Sequence, residues 1–164
     1  MHQPPTSDAD VEAGIGDVAE AVLTASRALV AVAARSLATV DSQVTVPQYR
    51  ALVVLSSRGP LLVGELAEAL AIHPSTATRL CDRLVAKRLV RRAVSRENRR
   101  ETTISLSPAG RELVDAVTDI RHREIAAIVA RVPVQTRSGM VDALSAFAEA
   151  AGEPPRDTWM LGWT

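Results

Sequence analysis

The chain of 164 residues is long enough for one domain, and its hydrophobic content of 47% excludes a fully disordered protein. Aromatic residues make up only 2%, so a core must be built from Ala, Val, Leu and Ile. The net charge is zero, but residues 73–111 carry ten Lys and Arg against three acids while both flanks are acidic, which predicts a basic segment between acidic helices.

The residues that bear on location give three expectations. The single cysteine, Cys81, excludes an internal disulfide and is consistent with a reducing cytoplasm. Residues 1–10 have neither a charged start nor an apolar run, so we expect no signal peptide and interpret them as a disordered tail. Arg, Asp or Ser interrupts the longest apolar stretches, and we therefore expect no membrane span.

A long helix is predicted from Val11 to about Ala38. Its apolar residues recur at alternating spacings of four and three, as in a coiled-coil seam, and they are Val11, Ile15, Val18, Val22, Ala25, Leu29 and Val32. A helix this long cannot bury such a face by itself. The pattern therefore predicts partner helices from the same chain or from another.

Three shorter helices are predicted next. Thr45 or Val46 precedes a proline, which is typical of a helix start, and Gly59 and Pro60 end that helix. After the apolar run 61–63 a brief helix spans 64–70, and the break 71–73 leads to a helix over 74–87. Two short helices joined by a three-residue turn have the helix-turn-helix layout.

The helix over 74–87 has two contrasting faces. Its inner face is formed by Ala77, Leu80, Cys81, Leu84 and Val85. Small hydroxyl side chains let a helix enter the major groove of DNA, and Arg reads base edges there. The candidate DNA contacts of the recognition helix are Pro74, Ser75, Thr76, Thr78, Arg79 and Arg83. The alternative interpretation is an ordinary solvated helix face.

Two strands, over 90–94 and 102–106, predict a β-hairpin directly after this helix. The segment 102–106 alternates apolar and hydroxyl residues, as a half-buried strand does. A hairpin in this place is a wing, and arginines at its tip can reach a minor groove or the neighbouring phosphates. The candidate wing contacts are Arg96, Asn98, Arg99 and Arg100. Four further basic residues are interpreted either as phosphate contacts or as solvated charges, namely Arg83, Lys87, Arg91 and Arg92.

Two further helices complete the chain. Ser107 and Pro108 start a helix that runs to about Arg131, and after a break at 132–133 a last helix carries Met140, Leu144 and Phe147 to about Ala151. The tail 152–164 contains both tryptophans. It docks on apolar surface of a partner chain or stays disordered. The predicted fold class is mainly α with a small β-wing.

From Leu61 to Leu113 the sequence resembles the MarR-type winged helix-turn-helix transcriptional regulators. The matching segments read Pro74-Ser75-Thr76-Ala77-Thr78-Arg79, Leu89-Val90-Arg91-Arg92, Asn98-Arg99-Arg100 and Leu106-Ser107-Pro108-Ala109-Gly110. Two positions depart from the family pattern. The family's wing aspartate is Asn98 here, and the usual Ser or Asn before the recognition-helix proline is His73, which is a poorer N-cap.

The resemblance implies a single MarR-like domain over residues 11–151. Its dimerisation helices would lie within 11–41 and 108–151, and its winged helix-turn-helix lobe within 45–107. It further implies a cytoplasmic homodimeric repressor that binds pseudo-palindromic double-stranded DNA and releases it when a small-molecule effector binds. By this resemblance the effector cleft would be lined by Leu37, Val40, Tyr49 and Val53, although Tyr49 also fits a core aromatic.

Other classes of function remain as alternatives. A winged-helix protein–protein interaction module is one of them. A thiol-responsive regulator that uses Cys81 is another, although Cys81 shares the inner face and fits a small buried hydrophobe better. His2, His73 and His122 have no metal-ligand spacing. The sequence also contains no phosphate loop, nucleophile elbow or paired carboxylates, so we expect no cofactor, no metal and no enzyme.

Overall fold

The computed structural model of the chain describes residues 8–94 and 102–152, and side chains from residue 14 onward. The elements of these ranges, in chain order, are α1 (Asp8–Val40), α2 (Val46–Arg58), β1 (Leu61–Leu62), α3 (Val63–Leu70), α4 (Pro74–Ala86), β2 (Val90–Val94), β3 (Thr102–Leu106), α5 (Pro108–Val129) and α6 (Val134–Ala150). The predicted class, mainly α with a small β-wing, is confirmed.

The start of α1 and an additional strand are the main departures from the sequence-based expectation. Helix α1 begins at Asp8, three residues before the predicted start and inside the segment expected to be a disordered tail. The run after α2 contains a two-residue strand, β1, that was not predicted. Two residues are too few to show a period, and β1 forms because β3 offers it an open edge, where Leu61 pairs with Ile104 and Leu62 with Thr103.

The three strands form one antiparallel sheet in the order β1-β3-β2. The predicted hairpin is confirmed by a register that runs from Val90 opposite Leu106 to Val94 opposite Thr102. The central strand β3 places Ile104, which is fully buried, against the helices. The core below the sheet is aliphatic, and its largest fully buried side chains include Leu52, Leu55, Leu66, Leu84 and Val117.

Side-chain caps start two of the helices that frame the lobe. Thr45 caps α2, since its hydroxyl accepts from the Gln48 amide at 3.4 Å while the Gln48 side chain accepts from the Thr45 amide at 3.1 Å. Ser107 caps α5 by accepting from the Gly110 amide at 3.0 Å. The sequence predicted that either Thr45 or Val46 starts this helix. In the structure Thr45 is the N-cap and Val46 is the first helical residue.

Helices α3 and α4 both end in Schellman motifs built on residues other than glycine. At the end of α3, Ala71 has a left-handed φ of 54° and donates to the Glu68 carbonyl, while the Ile72 amide donates to the Ala67 carbonyl. At the end of α4, Arg88 has a φ of 59°, and the Leu89 amide reaches back to Leu84. Each motif turns the chain sharply within two residues.

Replacing Ala71 with glycine is expected to stabilise the fold by about 1 kcal/mol, because a left-handed conformation costs an L-residue about 1–2 kcal/mol, more than the extra backbone entropy that glycine loses on folding. The measurement is the midpoint and slope of urea unfolding. The matched control is Ala69→Gly inside α3, where glycine is expected to cost about 0.5–1 kcal/mol. If Ala71→Gly destabilises the protein as Ala69→Gly does, the left-handed turn is not present in solution.

Helix α1 has two different environments. Its C-terminal half packs on α5, with Val32 and Leu37 buried and Arg35 paired with Glu124 at 2.9 Å. Apolar side chains in its N-terminal half are exposed to solvent, and Ile15 is 64% exposed. Contrary to the expectation that charges interrupt every apolar stretch, the part over Gly14–Val40 is long and apolar enough to cross a membrane by length and composition alone.

Helix α6 is the least buried element. Within Val134–Ala150 no residue is buried, and Val141, Leu144 and Phe147 are all more than half exposed. Its attachment to α5 is polar, since the Arg137 guanidinium donates to the carbonyls of Ala130 and Val132 at the end of α5. Exposed apolar surface on both α1 and α6 means that the described part of the chain leaves hydrophobic area in contact with water.

Candidate nucleic-acid interface

Helix α4 separates its apolar and polar residues as its sequence predicts, with one exception. Ala77, Cys81 and Leu84 are fully buried against the core, and Leu80 is partly buried. Val85 was predicted on the inner face, but it is 37% exposed and lies at the edge of the helix. The side chains predicted to contact DNA are all exposed, and they are Pro74, Ser75, Thr76, Thr78, Arg79 and Arg83.

The first turn of α4 is organised by His73 and by Ser75. The His73 ring occupies the N-cap position, where its Nδ1 accepts from the Ser75 amide at 3.3 Å. The same Nδ1 lies 2.9 Å from the Ser75 hydroxyl oxygen. The sequence suggested a poorer cap at this position, and the structure shows that the imidazole does cap the helix.

Two further polar side chains on this face are positioned by backbone carbonyls of the first turn. The Thr78 hydroxyl donates to the Pro74 carbonyl at 3.1 Å, and its exposed oxygen can still accept a hydrogen bond. The Arg79 Nε donates to the Ser75 carbonyl at 3.3 Å. Since this bond uses one of the five guanidinium donors, the other four can be directed at a ligand.

Basic side chains continue from the end of α4 onto β2. Arg83, Arg88 and Arg91 are exposed, so the recognition helix and the first wing strand present positive charge together. Lys87, in contrast, donates from Nζ to the Gln43 carbonyl and ties α4 to the loop between α1 and α2. Arg92 pairs with Asp82 of α4 at 2.9 Å.

The contacts of Lys87 and Arg92 could not be read from the sequence, which left both residues as phosphate contacts or solvated charges. Their partners are 44 and 10 residues away along the chain. A lysine that bonds a loop carbonyl and an arginine that pairs with an acid on the neighbouring element support the position of α4. The Arg92 side chain is still 39% exposed.

The base of the wing is joined to α4 through Ser107. Its hydroxyl donates to the Arg88 carbonyl at 2.7 Å while it accepts from Gly110, and its amide donates to the Leu89 carbonyl at 3.1 Å. Gly110 packs directly on the Leu89 backbone, so closely that a Cβ at this position would lie 2.0 Å from the Leu89 carbonyl oxygen. The orientation of β2 and β3 relative to α4 therefore depends on this joint.

The wing tip is the part of the predicted interface about which the structure gives no geometry. Arg96, Asn98, Arg99 and Arg100 lie outside the described residues, between the end of β2 and the start of β3. Both strands that carry the tip are paired up to Val94 and Thr102. The contacts assigned to the four tip residues stay predictions, as do those of the tail 153–164, which also lies outside the described ranges.

The predicted effector-cleft residues lie together at the junction of α1 and α2. Leu37 and Tyr49 are buried in the core cluster, and Val40 and Val53 are partly buried against it. The Tyr49 hydroxyl is buried and has no hydrogen-bond partner within the described part of the chain. Two cavities that the structure does describe lie elsewhere, and the larger, of about 580 Å³, lies beside α3 and the wing and is lined in part by Glu68, Thr78 and Arg92.

Cys81 is held as a core residue. It is fully buried beneath α4, and burial raises the pKa of its thiol, with nearby Asp82 adding to the rise and Arg92 opposing it. A protonated and inaccessible thiol is a weak nucleophile. The expected small buried hydrophobe is confirmed, and no described feature favours an oxidant sensor at this position.

Comparison with known proteins places these features among transcriptional regulators. The sequence model of the MarR family matches residues 42–101, which run from the α1–α2 loop through α4 and the wing. The crystal structure of RV1404 from Mycobacterium tuberculosis is 43% identical, covers 93% of this chain and 99% of its own, and superimposes with a TM-score of 0.81. It is therefore similar over the whole fold and not only in the lobe.

Two more distant relatives carry descriptive names. The repressor MdtR of Bacillus subtilis is 34% identical over 84 residues, which span 51% of this chain and 49% of that protein. A MepR variant of Staphylococcus aureus, solved bound to an oligodeoxyribonucleotide, shares the fold at 23% identity and a TM-score of 0.62, over 82% of this chain and 97% of its own. The chain spans between 49% and 66% of the lengths of three curated relatives, each named as a transcriptional regulator or repressor.

Proposed function

The chain belongs to the MarR family of transcriptional regulators, and on that premise we propose that it is a homodimeric, sequence-specific repressor that binds double-stranded DNA through α4 and the wing. The observation that carries the proposal is the exposed face of α4. It combines small hydroxyl side chains with Arg79. The Nε of Arg79 donates to the Ser75 carbonyl, and the other guanidinium N–H groups can donate to a ligand. Bidentate contact of such an arginine with guanine is a common way to read sequence.

The charge distribution supports the same assignment. The basic residues of the segment 73–111 continue from α4 onto β2, as phosphate binding requires, while the flanking segments are acidic. The relatives are named as regulators and not as enzymes, and this chain is likewise not an enzyme. Because such a regulator must reach chromosomal DNA, we assign it to the cytoplasm, and we interpret α1 as a partner-binding helix of a soluble protein rather than as a membrane span.

The homodimer is supported by the apolar surface that the described residues of one chain leave exposed. The N-terminal half of α1 and the whole of α6 expose Val, Leu, Ile and Phe side chains, and these helices come from opposite ends of the chain. A second copy related by two-fold symmetry covers both. It also presents a second α4 to the next half-site, one turn of DNA away.

The effector is proposed to enter beside Tyr49. A buried phenol without a hydrogen-bond partner is costly, and a ligand that offers an acceptor or donor would satisfy it. The surrounding Leu37, Val40 and Val53 favour an apolar or aromatic body on such a ligand. Since α2 contacts both α1 and α3, a ligand wedged between α1 and α2 would shift the DNA-binding lobe relative to α1 and lower the affinity for DNA.

The test is binding of the purified protein to duplexes that it selects from a random pool, followed by fluorescence anisotropy. Arg79→Ala is expected to weaken binding by about 1–3 kcal/mol and to relax the preference at one base position. The matched control is Arg123→Ala on α5, which removes the same charge from an exposed position away from α4. It is expected to leave the preference unchanged.

Two outcomes would overturn the proposal. If the selection returns no preferred duplex and binding is insensitive to salt, the chain is a winged-helix protein–protein interaction module instead. If a preferred duplex emerges but both arginine variants bind it equally, then α4 is not the element that reads the sequence. Size-exclusion chromatography of the same samples reports the oligomeric state.

A further inference from the structure

The α1–α2 loop, residues 41–45, is fixed by hydrogen bonds of its own. The Gln43 backbone amide donates to Asp41 Oδ1 at 2.8 Å, and the Val44 amide donates to the Asp41 carbonyl at 3.3 Å. Val44 is buried in the core, and Thr45 begins α2 as its N-cap. The backbone on both sides of the Gln43 carbonyl therefore has a defined course.

Lys87 connects this loop to the C-terminal end of α4. Its Nζ donates to the Gln43 carbonyl, across 44 residues of chain. Lys87 is also the C-cap of α4, and its amide donates to the Arg83 carbonyl at 3.1 Å. The next residue, Arg88, has the left-handed φ that turns the chain towards β2. The bond therefore acts at the place where the recognition helix ends, shortly before the wing begins.

The two segments that this bond joins belong to parts of the fold that pack on different partners. Helix α1 packs chiefly against α5, whereas α4 packs chiefly against α3 and β2. In the proposed homodimer, α1 and α5 belong to the dimerisation region, and α4 carries the DNA contacts. The place of α4 relative to the two-fold axis therefore depends on the bonds that connect these two parts, and the Lys87 bond is one of them.

We propose that Lys87 is a positioning residue for half-site spacing, because its bond to the Gln43 carbonyl holds α4 at a fixed place relative to α1. Adding one base pair between two half-sites moves them apart by about 3.4 Å and rotates one of them by about a tenth of a turn. Two rigidly held recognition helices cannot follow that displacement, whereas loosely held helices follow it in part. This inference rests on the proposed homodimer that binds DNA through α4.

Lys87 differs in this respect from the basic residues around it. Arg83 and Arg91 are exposed, and phosphate contact is the simplest role for such charges. Lys87 is only partly exposed, and one of its three Nζ donors is used within the protein. A phosphate contact adds affinity on any duplex, whereas a bond between two segments of the protein affects which arrangement of half-sites fits.

The experiment measures affinity by fluorescence anisotropy for the selected duplex and for two derivatives, with one base pair added or removed between the half-sites. The wild-type protein is expected to lose about 10- to 100-fold in affinity on either derivative. Lys87→Met keeps a long side chain of similar helix propensity but has no donor, and its loss is expected to be about 3- to 10-fold smaller. Because each loss is a ratio of two affinities of the same folded protein, a change in global stability does not alter it.

Two further variants test the bond from both sides. Lys87→Arg can still donate to the Gln43 carbonyl and is expected to keep most of the wild-type discrimination. Asp41→Ala frees the Gln43 backbone amide and loosens the loop, so it is expected to reduce the discrimination as Lys87→Met does. In the double variant the two reductions are expected not to add, because both substitutions act on one contact.

Arg83→Met is the matched control, since it removes a positive charge from an exposed position on the same helix. It is expected to weaken binding to all three duplexes by the same factor. It is also expected to lower the slope of log K against log salt by about 0.9, the value for one phosphate contact. Lys87→Met is expected to leave this slope unchanged. A residue that only stabilises the fold would change neither the slope nor the discrimination between spacings.

The results separate this inference from the function on which it rests. If the wild-type protein binds no selected duplex, the proposed function fails and the inference fails with it. If the wild-type protein distinguishes the spacings and Lys87→Met does so equally well, α4 still reads DNA and only the role of Lys87 is overturned. That role is also overturned if the wild-type protein binds all three duplexes equally, or if Lys87→Met lowers the salt slope as Arg83→Met does.

Discussion

Gly110→Ala is expected to destabilise the fold by about 3 kcal/mol, at the upper end of the cost of overpacking. Gly110 lies in the first turn of α5, where an added Cβ would be 2.0 Å from the Leu89 carbonyl oxygen and 3.0 Å from its carbonyl carbon. Both are backbone atoms, which cannot move aside as a flexible side chain can. The loss would appear as a lower urea midpoint with an unchanged slope.

A matched control shows that the effect comes from the contact and not from the loss of a glycine. Gly64 is also in the first turn of a helix, α3, but a Cβ there would meet nothing within 4 Å. Gly64→Ala is therefore expected to be neutral or slightly stabilising, by up to about 1 kcal/mol. Equal stability of the two variants would mean that α5 does not lie on the Leu89 backbone.

The Gly110 contact also has a functional consequence. It holds the start of α5 against the end of α4, and Ser107 connects both to the wing. A variant that folds by shifting α5 would reorient β2 and β3 relative to α4. We therefore expect Gly110→Ala to lose DNA affinity even at temperatures where it remains folded.

Phe147→Asp is expected to convert the proposed homodimer into monomers, with an increase of at least about 30-fold in the dimer dissociation constant, since a buried aromatic at an interface is typically worth 2 kcal/mol or more. Phe147 is 53% exposed in one chain and lies on the apolar side of α6 with Leu144 and Val141. The measurement is sedimentation equilibrium or light scattering over a range of protein concentrations.

The control places the same charge on the other side of the helix. Ala146 is exposed and shares the helical spacing of the polar residues Gln135 and Asp142. Ala146→Asp is expected to leave the oligomeric state unchanged. If Phe147→Asp and Ala146→Asp have the same dimer dissociation constant, then a second copy does not cover α6, and another partner must cover its apolar side.

Much of the fold could be predicted from local patterns. The order of the helices, the paired strands over 90–94 and 102–106 and the start of α4 at Pro74 all depend on short-range chemistry, namely periodicity and the fixed φ of proline. The burial of Cys81 followed from its spacing relative to Ala77 and Leu84. The family assignment required only the order of these motifs along the chain.

The missed features all depend on a second segment. β1 exists because β3 has an open edge, and the Lys87 and Arg92 contacts join residues that are distant in sequence. Val85 was misplaced because helical spacing alone does not reveal how wide a face the neighbouring elements cover. That the Tyr49 hydroxyl has no hydrogen-bond partner among the described residues is likewise visible only when the groups around it are known.

The sequence by itself determined the class of this protein, because exposed hydroxyls and an arginine on one helix, followed by a basic hairpin, are local properties of the chain. Only the tertiary structure decided how Lys87 meets Gln43, how Gly110 meets Leu89 and which apolar faces the described residues leave exposed. These features depend on distances between separate segments and on solvent access. A difference of an ångström decides whether a Cβ fits against a neighbouring carbonyl, and no residue pattern specifies a distance of that kind.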